Sequence, residues 1–171
     1  MWSDGRKRAG RRYPPGMAER VSVRLSDDEI WAFLEQGHTG ILTSLRRDGA
    51  PISLPIWFAV HERTVYVNGP AHTKKWARID RDPRVSFLVE EGLAWRELQA
   101  VHLSGTAHFV DDAETIDLVG RLLDEKYAAF RTTRSAMPEA AQRNYGRGNR
   151  LIRIEPTGRT LTWNNAKLPI R

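Results

Sequence analysis

The segment Gly40 to Val60, GILTSLRRDGAPISLPIWFAV, restricts the fold more than any other part of the chain. Two runs of β-forming residues flank Asp48-Gly49, and Asp-Gly supplies the positive backbone angles that a tight hairpin turn needs. The return strand, Ala50 to Val60, contains Pro51 and Pro55. Neither proline has an N–H to give to a ladder, so this strand is expected at a sheet edge or with a bulge.

The rest of the chain extends that pattern. Ser26-Asp27-Asp28-Glu29 is a capping box ahead of Ile30, Phe33 and Leu34, and it predicts a short amphipathic helix stopped by Gly37. Thr64 to Asn68 reads as a third strand. Thr73 is placed to cap a helix running through Ile79 to Asp82-Pro83. Arg84 to Glu90 is a fourth strand, and Leu98 to Val110 a long fifth one in which Gly105 suggests a bulge. Asp111 and Glu114 start a helix to about Phe130, with Ile116, Val119, Leu122 and Leu123 on its inner face. A short helix is expected over Pro138 to Tyr145. Leu151 to Glu155 and Thr160 to Trp163 are expected to close the chain as a hairpin around Pro156-Thr157-Gly158. Antiparallel strands with short turns and peripheral helices indicate a mainly β fold, a small barrel rather than a doubly wound sheet. No G-x-G-x-x-G follows a strand, which disfavours a Rossmann unit.

Composition narrows the class of protein. A chain of 171 residues suits one domain with a real core. It has no cysteine, which excludes disulfides, thiolate metal sites and cysteine nucleophiles. No apolar run is long enough for a membrane span, and the basic N-terminus has no apolar leader segment, so a cytoplasmic protein is expected. Net charge is +6, but residues 1–20 hold +4 of it and the other 151 residues only +2. This reads as a flexible basic extension over 1–20 joined to a nearly neutral domain over 21–171. Such a distribution speaks against nucleic acid as the main partner. The five histidines form no H-x-x-x-H or H-E-x-x-H pattern, and no metal site is expected.

Lysine is scarce, with five among 27 basic residues, yet Lys74 and Lys75 are adjacent behind a Gly-Pro turn. An ammonium is a compact partner for phosphate, and the first N–H groups of a helix add donors at its positive end. Thr73, Lys74 and Lys75 are therefore the candidate phosphate corner. As an isolated motif, T-K-K reads more readily as a solvated helix start.

The order of the pieces is more telling than any one of them. A capped helix precedes a strand-DG-strand hairpin ending P-I-W-F, then VYVNGPAHTKKWARI, then DPRVSFLV. That succession resembles the pyridoxamine 5'-phosphate oxidase-like family, the FMN-binding split barrels of the flavin and deazaflavin oxidoreductases. The resemblance covers Ser26 to Val110 well and the C-terminal strands loosely. It implies a homodimeric split β-barrel with a cofactor, FMN or the deazaflavin coenzyme F-420, in a groove between subunits. It places Lys74 and Lys75, with Thr73, at the cofactor phosphate. Pro55, Ile56, Trp57 and Phe58 fall on the strand whose backbone runs along the ring, and Asn68 and Gly69 end the next strand beside it. Trp163, with Lys167 and Leu168, resembles the C-terminal motif that packs near the partner's cofactor. Trp95, Tyr145 and Trp163 are candidate substrate-pocket residues.

Two departures matter. Leu54 stands where vitamin B6 oxidases of this family carry a cofactor-contacting arginine, and Ala59 where they carry a substrate-phosphate lysine. The resemblance therefore implies a flavin-type oxidoreductase that moves a hydride to or from a small organic molecule, and not a true pyridoxamine-phosphate oxidase. The alternative is a protein of the same fold that binds or carries flavin, deazaflavin or haem without turnover. No residue stands out in the sequence as a catalytic acid or base.

Overall fold

In the computed structural model the described residues are 22–145 and 148–169, so the basic extension 1–20 lies outside them. The first helix, α1 (Asp27–Gln36), begins on the expected capping box: Ser26 Oγ accepts from the Glu29 amide, and the Glu29 carboxylate accepts from the Ser26 amide at 2.7 Å. Ile30, Phe33 and Leu34 are its buried stripe.

The DG hairpin forms between β1 (Gly40–Leu45) and β2 (Pro51–Ile56), in register from Gly40↔Ile56 to Leu45↔Pro51. Gly49 sits at φ +82°, a value that favours glycine. The expected single return strand, Ala50 to Val60, is a point of difference. It breaks at Trp57, and the chain resumes as β3 (Phe58–His61), which pairs with β4 (Thr64–Pro70) and not with β1. Because β2 pairs only with β1, Pro51 and Pro55 lie on an edge where a missing N–H costs no ladder bond. The β3–β4 turn is Glu62-Arg63, both at positive φ. Arg63 is tied to Asp27 and Asp28 at the start of α1.

Next come α2 (Lys74–Arg81), β5 (Arg84–Glu91), β6 (Gln99–Val110), α3 (Ala113–Lys126), α4 (Glu139–Tyr145), β7 (Asn149–Pro156) and β8 (Leu161–Asn164). Strand order is β2-β1-β5-β6-β7-β4-β3, with β8 on β6. The sheet is antiparallel throughout, and its two ends, β2 and β3, are consecutive in the chain. The sheet thus curls into a split barrel with helices at its periphery.

Three further expectations change. The C-terminal strands make no hairpin with each other: β7 pairs with Gly105–Val110 of β6 and β8 with Gln99–His102, so the long β6 serves both. Gly105 marks no bulge in the β5–β6 register. A Cβ there would lie 2.6 Å from the Glu155 carbonyl oxygen, so the glycine permits close approach of β7. The cap of α3 is Asp112, whose carboxylate accepts from the Thr115 amide at 2.8 Å, and the helix ends at Lys126 with a separate turn at Ala128–Phe130. Ile116 is 41% exposed, while Val119 and Leu123 are the buried positions of α3.

The barrel interior is filled by Leu34, Phe58, Val65, Val67, Trp76, Ile79, Phe87, Val89, Val101, Leu103, Ile152 and Ile154. A second cluster, Ala59, Val119, Leu123, Tyr127 and Leu151, joins α3 to the outer face of β3, β4 and β7. Among the described residues no helix is long and apolar enough to cross a membrane.

Candidate functional site

The break at Trp57 creates the site. The β1–β2 ladder ends at Ile56↔Gly40 and the β3–β4 ladder begins at Phe58↔Val67. Continued by one or two residues, β3 would set Trp57 against Asn68 and Ile56 against Gly69, but β2 has swung to β1. The end of β2 and the end of β4 thus flank a gap, each carrying one strand edge without a ladder partner. A cavity of about 650 Å³ occupies this gap. Pro55, Ile56 and Trp57 form one wall, and Asn68, Gly69 and Pro70 form the facing one. Leu123, Phe130, Arg131, Thr132 and Met137, from α3 and the segment after it, form a third, and Asn149 adds to the β4 side. The volume falls in the range of small-molecule and cofactor pockets.

At one end lies Lys75. Trp76 donates from Nε1 to the Pro70 carbonyl at 2.8 Å, which fixes the start of α2 against the end of β4. The Lys75 ammonium is thereby brought over Gly69: a Cβ on that glycine would lie 2.5 Å from Nζ. Partial burial, helped by nearby Arg78, pushes the Lys75 pKa down to about 8. A desolvated cation of this kind gains more from an incoming anion than a fully hydrated one does. Lys74 points to solvent and does not line the cavity. The lysine pair separates into one inward and one outward member.

Two orphaned polar atoms lie nearby, one on Asn68 of the β4 wall and one on Thr73, just before Lys75. Thr73 is the N-cap residue of α2, yet its side chain makes no cap bond, and its Oγ1 is buried without a partner. Asn68 Oδ1 is likewise buried and unpaired, on the face of β4 that it shares with Leu151 and α3. Buried polar groups are rarely left unsatisfied in a native fold; the Thr73 hydroxyl is free to donate to a bound acceptor, and Asn68 Oδ1 to accept from a bound donor.

The other candidates fall elsewhere. The Phe58 side chain is fully buried in the barrel interior, 4.9 Å between centroids from Phe87, and Phe58 does not line the cavity. Trp95 (63% exposed) and Trp163 (41% exposed) are on the β6–β8 side of the sheet, outside the cavity of this chain. Asn165 donates to the Trp95 carbonyl at 2.7 Å, and Lys167 is drawn into α1 by Glu29 at 2.6 Å. The Tyr145 side chain lies outside the described residues. Ala59 is 2% exposed, sealed beneath α3 in the second core cluster. Leu54 is 47% exposed on the free strand β2.

Sequence reasoning did not find the third wall. Phe130, Arg131, Thr132 and Met137 carry no motif, nor does Asn149 on the β4 side, and residues 131–137 have no periodicity by which to place them. It also passed over Tyr127, which is fully buried with its hydroxyl between the Phe58 amide, at 3.0 Å, and the His38 carbonyl, at 2.8 Å. Among the described residues no group of three or more His, Asp or Glu gathers as a metal site.

An antiparallel barrel split at one strand, with a cation-ended cavity in the split, defines the class of FMN-binding split barrels. The comparisons with known proteins agree: residues 26–162 match the family of pyridoxamine 5'-phosphate oxidase, and the chain belongs to that split-barrel superfamily. Among solved structures, a conserved hypothetical protein from Mycobacterium tuberculosis is 30% identical, with a TM-score of 0.73, over 91% of this chain and 96% of that one. An F420 reductase is 21% identical, with a TM-score of 0.56, over 76% and 94%. The haem storage protein HutZ from Vibrio cholerae is 15% identical, with a TM-score of 0.62, over 82% and 97%. No curated protein matches the chain.

Proposed function

We propose that the chain binds a flavin-type cofactor, FMN or coenzyme F-420, in the split, with the cofactor phosphate on Lys75. The observation that carries the reading is the Lys75 ammonium, partly desolvated over Gly69 at the end of a cavity walled by free strand edges. The Thr73 hydroxyl and the amides of the first turn of α2 would join Lys75 on the phosphate. The backbone edges at Pro55–Trp57 and Asn68–Gly69 would meet the polar rim of the ring, and Trp57 and Phe130 its apolar surfaces. Asn68 Oδ1 asks for a donor, which a flavin or deazaflavin has in its imide N–H and side-chain hydroxyls.

When bound, such a cofactor supplies two-electron hydride chemistry. The chain's part is to hold and orient the ring and to keep water from one side of it. The Lys75 pKa is lowered to about 8, and its proton would serve charge neutralisation at the phosphate. Reduction or oxidation of a small organic molecule follows from an open ring face. Because Ala59 is buried packing and Leu54 is apolar, that molecule is not vitamin B6 phosphate in this reading. A second copy of the chain would cover exposed Leu54 and bring its own Trp163 and Trp95 toward the split, making a homodimer with two sites.

Carriage of the same cofactor without turnover is the second reading, and the haem-storing relative extends it to haem. Among the described residues no histidine lines the cavity, which favours flavin or deazaflavin over haem as the occupant. Absorption titration of the purified protein with FMN, F-420 and haemin tests the proposal. Saturable binding of FMN or F-420 is expected, and absence of binding for both would overturn it. Reoxidation or reduction of the bound cofactor by added donors and acceptors separates enzyme from carrier.

A further inference from the structure

The Tyr127 side chain occupies an unusual position at the break between β2 and β3. Trp57 belongs to neither ladder, and the first amide after it is that of Phe58. That amide donates to Tyr127 Oη at 3.0 Å. The same hydroxyl donates to the His38 carbonyl at 2.8 Å, with the Phe58 carbonyl at 3.1 Å as a shared acceptor. His38 precedes β1 by two residues, so one buried phenol bridges the β1 side of the split to the β3 side. Its ring lies parallel to Trp57, 4.3 Å between centroids and 4° between planes. His38 wedges edge-on against Tyr127 at 5.4 Å and against Phe130 at 4.5 Å. Tyr127 also ends α3, and the next residues, Phe130, Arg131 and Thr132, form the third cavity wall.

We infer that Tyr127 is a positioning residue that sets the width of the split: it holds the Phe58 and His38 backbone by its hydroxyl and Trp57 by its ring. Two walls of the cavity meet at this side chain: Trp57 stacks on its ring, and His38 links it to Phe130. Without the hydroxyl, the Phe58 amide loses its Tyr127 acceptor, and the end of β2 is free to move relative to β4. The consequence for ligand binding rests on the cofactor reading above, but the pin itself does not.

Two variants test it. Tyr127→Phe keeps the ring stack and removes the pin, while Val119→Ala thins the same α3 cluster without touching the break. In ligand-free protein, hydrogen exchange of the Phe58 amide, read by NMR, should accelerate at least tenfold in Tyr127→Phe beyond any change in global stability. Val119→Ala should leave it in step with global stability. With FMN or F-420, whichever the wild type binds, Tyr127→Phe should raise Kd about tenfold and alter the visible circular dichroism of the bound ring. Val119→Ala, even if it lowers Tm as much, should change Kd by less than twofold. Unaltered Phe58 exchange in Tyr127→Phe would overturn the pin. Altered exchange with the wild-type Kd and visible dichroism would overturn its control of the site. If the wild type binds neither cofactor, the cofactor reading falls, and the exchange measurement still decides the pin.

Discussion

Trp57 lies flat against Tyr127, with ring centroids 4.3 Å apart and planes within 4° of parallel. The stack stands where the chain leaves the β1 ladder for the β4 ladder, and one partner is a cavity wall. Removing the indole therefore affects both stability and binding. Trp57→Ala is expected to lower unfolding stability by about 1–3 kcal/mol, the sum of a lost aromatic pair and lost apolar burial. Cofactor affinity should fall with it, and denaturant unfolding beside an absorption titration checks both.

The two lysines should behave differently. Lys75→Ala removes the ammonium at the cavity end and should weaken FMN or F-420 binding by ten- to a hundredfold, about 1.5–3 kcal/mol for a charge-assisted contact. Lys74→Ala removes an exposed cation and should change affinity by no more than a few-fold. Equal effects would place the phosphate outside the cavity.

Binding should also depend on pH. Free Lys75 has a pKa of about 8, below its ordinary 10.5, and an anion bound beside it would raise that value. Affinity is then greatest below pH 8, where Lys75 already carries its proton, and declines as pH rises toward the higher pKa of the complex. Stability of the ligand-free protein runs the other way. Lys75 and Lys126 both have folded pKa values near 8 against 10.5 in free solution, each lowered chiefly by burial. Between pH 8 and 10.5 the unfolded chain binds more protons at these sites, so their contribution to stability rises with pH. Lys126→Met should flatten part of that rise, as read by Tm across the range.

Two glycines separate site from scaffold. A methyl group on Gly69 would meet the mobile end of Lys75, 2.5 Å away, so Gly69→Ala should fold normally and bind more weakly. On Gly105 it would meet the Glu155 backbone carbonyl at 2.6 Å, which cannot swing aside. Gly105→Ala should cost about 1–3 kcal/mol, as overpacking does, by forcing β6 and β7 apart. Thermal unfolding and titration of both variants distinguish the two outcomes.

Dimerisation follows from the proposed function. Light scattering should give a mass near twice 19.5 kDa. Leu54→Asp, a charge on the exposed free strand, should shift it toward the monomer and weaken cofactor binding in parallel.

Much of this was legible along the chain because it is encoded locally. The Ser26–Glu29 capping box, the Gly49 turn and the edge prolines each satisfy a backbone requirement within a few residues, and each stands where the pattern put it. The split itself was not. Ala50 to Val60 reads as one strand, since nothing in its periodicity says that Trp57 is where hydrogen-bonding partners change. That exchange is a competition between β1 and β4 for the same chain, settled only when the sheet curls. The C-terminal hairpin misled for the same reason: Pro156-Thr157-Gly158 is a good turn, yet β7 and β8 each find a longer partner in β6.

The sequence by itself determined a mainly antiparallel β fold, a hairpin with an edge strand and a lysine pair at a helix start, because these depend on short-range sterics and hydrogen bonding. Only the tertiary structure decided which lysine faces the cavity, which residues wall it, and that Tyr127 holds the break. Those depend on how helices α2 and α3 pack against the curled sheet, and burial, which moves the Lys75 pKa and orphans Asn68 and Thr73, is a property of that packing alone.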